Sequence, residues 1–170
     1  MLDPKIAKML NDQVTKEFHS AYLYLDMANY YYDNNLNGFG NWFDVQTEEE
    51  KAHGMLFLQY LRNNGIKVEL NQIDAPGFDF KDFKEPLTAA LKHEQYVTAS
   101  IYDIYKEAHV QKDFRTMQFL DWFVKEQGEE EQSAEELCQR YDMFGKDPKG
   151  LYLLDSELGR RAYEEPDLTL

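Results

Sequence analysis

Apolar side chains recur along this chain at alternating steps of four and three residues, in four long stretches that are separated by breaks. This spacing is typical of one buried face of an α-helix, and the strict alternation of a β-strand is sustained nowhere. The breaks are rich in Asn, Gly and Pro, and the longest of them contains Pro76 and Gly77. The pattern predicts helices over about 4–34, 38–64, 86–110 and 113–143, and a short fifth helix over about 150–161.

Helices of this length, at 1.5 Å of rise per residue, are about 40 Å long. Short links join the first helix to the second and the third to the fourth. The link between the second and third helices has roughly 20 residues, enough to cross the length of a bundle. We therefore predict a single all-α domain over residues 1–170, a four-helix bundle with one long crossover connection and a short fifth C-terminal helix.

The inward stripe of each long helix is apolar at its ends and polar at mid-height. The polar inward positions that can bind a cation are Glu17, Glu50, His53, Glu94, Gln127 and Glu130. A lone inward glutamate has plainer explanations, such as a device that fixes helix register or a surface residue out of phase. Four helices with the same feature favour a metal site, because buried carboxylates need a proton, a partner or a cation, and these stripes carry no Lys or Arg.

The spacing of these residues repeats. Glu17 precedes Glu50 by 33 residues, and Glu94 precedes Gln127 by 33; Glu50-x-x-His53 then matches Gln127-x-x-Glu130. The repeat predicts two helical hairpins that face each other about a pseudo-twofold axis. Carboxylates with one imidazole favour iron or manganese over thiolate zinc sites and all-oxygen calcium sites. Glu50 lies between the halves and is the natural bridge for two ferrous ions, which together can reduce dioxygen or peroxide.

Net charge, the length of apolar runs and the cysteine count exclude several classes of function. The net charge of −14 argues against nucleic-acid binding, which needs a positive surface. No apolar run approaches the roughly 20 residues that span a bilayer, and the N-terminal residues lack the order of a secretory signal. The single cysteine, Cys138, is typical of a reducing compartment. We therefore expect a cytoplasmic protein that is not bound to a membrane.

The segments "EEEKAH" at 48–53 and "EQGEEE" at 126–131 resemble those of the bacterial non-haem ferritins, and the resemblance covers essentially the whole chain. It implies a ferritin-like fold and a di-iron ferroxidase centre. The implied first iron position uses Glu17, Glu50 and His53, and the second uses Glu50, Glu94 and Glu130 with Gln127 close by. Tyr24 is implied to lie beside the centre, where it supplies an electron or a hydrogen bond, although a core tyrosine would have the same spacing.

The resemblance also implies a third iron site on the cavity side of the bundle. Its residues would be Glu49, Glu126, Glu129 and Glu130. The alternative is that Glu126 and Glu129 are solvated surface charges, as is expected of Glu48 and Glu131. Gly128 departs from an ordinary helix interior, and either relief of crowding or a local bulge would explain it.

The implied function is iron storage: Fe(II) is oxidised to Fe(III) by dioxygen or hydrogen peroxide and is deposited as ferric oxyhydroxide inside a homo-oligomeric shell of 24 subunits. Haem is not expected, because a second Glu-x-x-His is missing. The alternative is a soluble di-iron oxidoreductase or peroxidase of the rubrerythrin type, without mineral storage, although one cysteine cannot supply the four-cysteine module that rubrerythrins usually carry. The last residues, "EEPDLTL", are expected to be a disordered end.

Overall fold

The computed structural model describes residues 2–170, and it confirms the predicted all-α bundle with one crossover and a short fifth helix. The helices are α1 (Pro4–Asp33), α2 (Asn37–Asn63), α3 (Glu85–Gln111), α4 (Phe114–Phe144) and α5 (Pro148–Leu158). The last helix begins earlier than the apolar pattern indicated. Asp147 caps its N-terminus by accepting a hydrogen bond from the Gly150 N–H at 2.8 Å, and Pro148 fits its first turn.

The four long helices form two antiparallel hairpins, α1 with α2 and α3 with α4, which pack together through α1 and α3. Residues 65–84 cross the length of the bundle between the hairpins. Asn11 on α1 holds this crossover, because its side-chain amide donates to the Glu69 carbonyl and accepts from the Glu69 N–H, both at 2.9 Å. The crossover therefore follows α1 although it has no regular secondary structure.

The core consists of two apolar clusters with a polar layer between them. One cluster contains Leu10, Phe57 and Phe123, and the other contains Tyr31 and Phe43. The side chains of the polar layer are buried although they can carry hydrogen bonds or charge; they include Gln13, Glu17, Ser20, Gln46, Glu50, His53, Glu94, Thr98, Ser100, Gln127 and Glu130. The polar stripes predicted from the sequence thus meet at the same height of the bundle.

Helix α5 packs across the start of α2. The first turn of α2 has no cap from its own N-cap residue, Leu36. Asp155 on α5 supplies the cap instead, and its Oδ1 accepts from the Gly38 N–H at 2.8 Å and the Phe39 N–H at 3.0 Å. The approach is so close that a Cβ at Gly38 would lie 1.6 Å from the Asp155 carbonyl oxygen.

The chain after α5 runs back along the bundle without regular secondary structure. The sequence predicted a disordered end here, but the Trp122 Nε1–H donates to Asp167 at 2.7 Å and Leu168 packs against the first apolar cluster. These partners lie on other helices, so no local pattern could indicate them. No helix in the part of the chain that the structure describes is long and apolar enough to cross a membrane.

Candidate metal centre

Three side chains from the first hairpin converge at the centre of the polar layer. Glu17 on α1 and Glu50 and His53 on α2 each offer one ligand atom, and these atoms lie within 4.8 Å of one another. All three residues are at most 1% exposed. Within residues 2–170, Glu17 Oε2, both carboxylate oxygens of Glu50 and His53 Nδ1 are buried without a hydrogen-bond partner. Buried polar atoms are rarely left without a partner. The cluster therefore has the lone-pair atoms of a cation site, and these atoms still need a cation.

Burial sets the charge of these groups. It raises the pKa of Glu17 to about 7, and it lowers the pKa of His53 to about 4. The pKa of Glu50 is raised well above its usual value by burial, and the neighbouring charges of Glu94 and Glu17 add to the effect. The imidazole is therefore neutral at physiological pH and keeps a lone pair for a metal, while the carboxyl groups favour either a proton or a cation.

The second hairpin brings Glu94 and Glu130 to the same layer. Glu94 accepts hydrogen bonds from the Tyr24 hydroxyl and from Gln127 Nε2, the latter at 3.0 Å. Glu130 accepts from Gln46 Nε2 at 2.9 Å. Burial raises the pKa of both carboxyl groups, and the charge of Glu94 raises that of Glu130 further. Tyr24 therefore lies beside the cluster and contacts it directly.

Gln127 occupies the place that a glutamate would have in a symmetric repeat. Its amide nitrogen faces Glu94 and also lies 3.3 Å from Thr98 Oγ1. An amide N–H₂ donates hydrogen bonds and cannot bind a metal ion. In this arrangement Gln127 orients Glu94, and only its amide oxygen remains available to a cation.

The residues of the implied third site are divided between two environments. Glu126 and Glu130 have ligand atoms within 4.8 Å of each other and of His53. Glu49 forms an ion pair with Arg161 at 2.7 Å, and the exposed Glu129 pairs with Lys125 at 3.2 Å. The structure thus brings two of the four glutamates together, and it gives the other two a cationic partner.

A cavity of about 370 Å³ borders the centre on this side. His53, Trp122 and the acidic residues of α2 and α4 line it, and the chain after α5 adds Glu164 and Asp167. Burial raises the pKa of Glu126, and the charges of Glu129 and Glu49 raise it further. Acidic side chains therefore outnumber the two cationic ones, Lys125 and Arg161, in this cavity beside the buried cluster.

Comparison with known proteins identifies the family of the chain. The ferritin-like domain family matches residues 7–144. The chain belongs to the ferritin family. A bacterial non-heme ferritin of Staphylococcus aureus is 36% identical to it over 165 residues, which cover 97% of this chain and 99% of that protein, and a bacterial non-heme ferritin of Staphylococcus haemolyticus matches to the same extent.

Solved ferritin structures share the fold. An open pore ferritin from the hyperthermophilic archaeon Archaeoglobus fulgidus superposes with a TM-score of 0.92 and 36% identity, covering 95% of this chain and 98% of that one. A closed form of the same ferritin, engineered by site-directed mutagenesis, gives a TM-score of 0.94, 35% identity and coverage of 96% and 100%. Iron storage and ferroxidase activity, predicted from the sequence, are confirmed as the function of the family to which the chain belongs.

Three residues of the ferritin centre were missed by the sequence analysis as organisers of the site. Gln13 Nε2 donates to Glu17 Oε1 at 2.7 Å, as Gln46 donates to Glu130. Each glutamine lies on the inward stripe one helical turn before a carboxylate, and that position was the available signal. Arg161 reaches Gln46 from just beyond α5, which ends at Leu158 and not near 161 as the sequence pattern predicted, and no local pattern indicates that contact.

The structure also shows the surroundings of His93 and Gly128. His93 is half-buried, and its Nε2 lies 2.7 Å from Ser20 Oγ. At Gly128 an added Cβ would meet no atom within 4 Å, and α4 continues through it as regular helix. Within the subunit, neither crowding nor a bulge explains that glycine.

Proposed function

We propose that this ferritin chain oxidises Fe²⁺ at the centre of its own bundle and stores the product as ferric mineral inside a shell of 24 subunits. The observation that carries the proposal is the set of buried, unpartnered ligand atoms on Glu17, Glu50 and His53. A carboxylate in an apolar bundle is strongly destabilised unless it is protonated or paired. Binding of ferrous ions supplies the missing partners.

Two adjacent iron positions are proposed in the polar layer, and the ligand atoms of the first, but not all those of the second, lie within 4.8 Å of one another. The first uses Glu17, Glu50 and His53, and the second uses Glu50, Glu94 and Glu130, with Gln127 alongside. Both oxygens of Glu50 are free of hydrogen bonds, so this carboxylate can bind one ion with each oxygen. Glu94 and Glu130 each use part of their capacity on hydrogen bonds from Tyr24, Gln127 and Gln46, which fix their orientation.

The two ferrous ions are the substrate, and they supply one electron each. Two electrons and two protons convert dioxygen to hydrogen peroxide, or convert hydrogen peroxide to two molecules of water. The protein contributes the spacing of the ions, a bridging carboxylate and a site from which bulk water is largely excluded. Tyr24 holds Glu94 by its hydroxyl and lies where it can donate a further electron.

A third iron position on the cavity side uses Glu126 and Glu130, joined by Glu49 and Glu129. The cavity that borders the centre offers ferric product a path away from the buried layer. Because Glu49 and Glu129 pair with Arg161 and Lys125, their participation requires those ion pairs to open. The third position is therefore complete only when Glu49 and Glu129 are released from their cationic partners.

Assembly into a shell is supported by the surface of the subunit. In α5, Leu154 and Leu158 are buried against the bundle, whereas Tyr152 and Leu153 remain 70% and 57% exposed. Exposed apolar side chains on one short helix favour contact with neighbouring subunits. A lone bundle cannot enclose a mineral, so storage depends on this contact.

Haem is not required by any step, and the single cysteine agrees with a cytoplasmic location.

Size-exclusion chromatography after addition of excess ferrous iron in air tests the proposal, with iron and protein quantified in each fraction. We expect hundreds of irons per particle to elute with a shell-sized species. The Glu50→Ala variant should assemble but oxidise iron at less than about one hundredth of the wild-type rate. Mutation of a residue that only supports a metal ligand typically costs 10–100-fold in activity, and loss of the ligand itself should cost more. Glu48→Ala, at an exposed glutamate two residues away, is the matched control.

Two other results would contradict the proposal in different ways. About two irons per chain on a small oligomer would leave the centre intact but would show a soluble di-iron enzyme of the rubrerythrin type. Equal rates for the wild type and Glu50→Ala would show that the buried carboxylates do not bind the iron that is oxidised.

A further inference from the structure

Arg161 reaches the iron centre from the chain beyond α5. Its backbone is tied to α2, because the Asn41 side-chain amide donates to the Arg161 carbonyl at 3.0 Å. The guanidinium lies over the Trp42 indole, 4.5 Å from the ring centroid, and Nη1 donates to the Trp42 carbonyl at 3.1 Å. Stacking and a fixed donor hold the planar group in one orientation. Its second nitrogen, Nη2, then donates to both Gln46 and Glu49.

The contact with Gln46 determines which way its buried amide points. Gln46 is 1% exposed, its Oε1 accepts from Arg161, and its Nε2 donates to Glu130 Oε2 at 2.9 Å. The reversed amide would place two donors together at Arg161 and two acceptors together at Glu130. Both contacts would be repulsive without water to relieve them. Arg161 therefore obliges Gln46 to donate to Glu130.

We infer that Arg161 is a positioning residue of the iron centre, which acts through Gln46 to orient Glu130 for the second iron position. The inference rests on the proposed function, since Glu130 is a ligand only if iron binds there. One oxygen of Glu130 accepts from Gln46, which leaves the other oxygen of the carboxylate free to bind a cation. Residues that orient a metal ligand in this way commonly affect metal affinity by 10–100-fold.

The positive charge of Arg161 has the opposite effect on cation binding to the effect of its hydrogen bond to Gln46. Arg161 carries a positive charge close to the centre and pairs with Glu49. If it acted only by its charge, its removal would strengthen cation binding at every position and would free Glu49 for the third one. If it acts as a positioning residue, binding at the second position becomes weaker even though a repulsive charge has been removed. The direction of the change distinguishes the two roles.

The experiment uses the iron-free assembled shell and Zn²⁺, which has no redox chemistry, as the probe. Isothermal titration gives the affinities, and anomalous diffraction from crystals at limiting Zn²⁺ assigns them to positions. For Arg161→Met we expect the affinity of the second position to fall roughly 10–100-fold, while that of the first position does not fall. Arg161→Lys should lose less, because it keeps the charge but cannot reproduce the planar fork. Arg160→Met, at the exposed neighbour, should bind as the wild type does.

Gln46→Met provides a second line of evidence that leaves Arg161 and its anchors in place. It should reproduce the loss at the second position, and adding Arg161→Met to it should cause no further loss there, because one acts through the other. Wild-type affinity or tighter binding at the second position in either single variant would overturn the inference. If the wild-type shell itself takes no Zn²⁺ at the bundle centre, the proposed function fails, independently of Arg161.

Discussion

Two buried glutamines each hold one carboxylate of the polar layer, one within its own helix and the other across the bundle. Gln13 donates to Glu17, and Gln46, which follows it by 33 residues, donates to Glu130. Each amide oxygen is held by a donor from elsewhere in the fold: the Ser100 hydroxyl on α3 donates to Gln13 at 2.7 Å, and Arg161 donates to Gln46. Each glutamine amide is fixed by its own donor and in turn fixes a buried carboxylate. This limits the rearrangement of the carboxylates when a cation binds.

Gln13 allows a test that concerns the first iron position alone. In Gln13→Leu, Glu17 loses the hydrogen bond that fixes one of its oxygens, and the pKa of its carboxyl group rises further because that bond favours the ionised form. We expect the affinity for Zn²⁺ at the first position to fall by about 10-fold or more, with the second position unchanged. Site-resolved occupancies at limiting Zn²⁺ measure both. Equal losses at the two positions would show that the substitution disturbs the layer as a whole.

At the scale of single residues, the sequence indicated the carboxylates of the polar layer better than the groups around them. Glu17, Glu50 and Glu130 stand out because carboxylates interrupt an apolar helical period, and a period is a local property of the chain. The orientation of Gln46 depends on Arg161, which is more than one hundred residues away and outside every helix. Contacts of that kind follow from the tertiary structure and leave no mark on the pattern.

At the scale of elements, the start of α2 depends on α5. Asp155 on α5 caps the first turn of α2, so α5 completes a helix that is far from it in the sequence. The long helices were predictable from their period and from their Gly and Pro breaks, and Asp113 was predictable as the cap of α4. The cap of α2 was not predictable, because its acceptor lies 117 residues after Gly38.

Removal of this cap has a defined consequence. Asp155→Ala leaves two amides of α2 without an acceptor and should lower the free energy of unfolding by about 1–2 kcal/mol per subunit. Hydrogen exchange in the iron-free protein should then be faster at Gly38 and Phe39, while Ser156→Ala, at the exposed neighbour, exchanges as the wild type does. Gly38→Ala should be more damaging, because its Cβ forces α5 away from α2. Unchanged exchange in both variants would show that α5 does not support α2.

At the scale of the whole molecule, each subunit carries a layer of carboxyl groups that is stable either with protons or with cations. Glu17, Glu50, Glu94 and Glu130 all have a pKa raised above its ordinary value by burial. A group of this kind contributes its full stability below its unfolded pKa, near 4.5, and loses it as the pH rises through the folded value, about 7 for Glu17. Iron or another cation restores that stability at high pH, because it replaces the protons.

The histidine of the centre has the opposite dependence, and this defines the informative pH range. The pKa of His53 is lowered from 6.5 to about 4, so its contribution is complete above pH 6.5 and is lost as the pH falls toward 4. Between pH 6.5 and pH 8, therefore, only the carboxyl groups of the layer change the stability. In this range we expect the midpoint of thermal unfolding of the iron-free protein to fall as the pH rises. Calorimetry at constant ionic strength measures the midpoint.

Cations should reverse that trend. Added Zn²⁺ should raise the midpoint more at pH 8 than at pH 6.5, because at the lower pH it must displace protons from the layer. Glu17→Gln with Glu50→Gln, which removes two of the titrating groups, should flatten the pH dependence and reduce the effect of Zn²⁺. Glu48→Gln with Glu136→Gln removes the same formal charge at two exposed positions outside the layer and should retain both effects. A midpoint independent of pH in the iron-free wild type would mean that the layer is not held in the protonated state, and that the fold tolerates its charges in some other way.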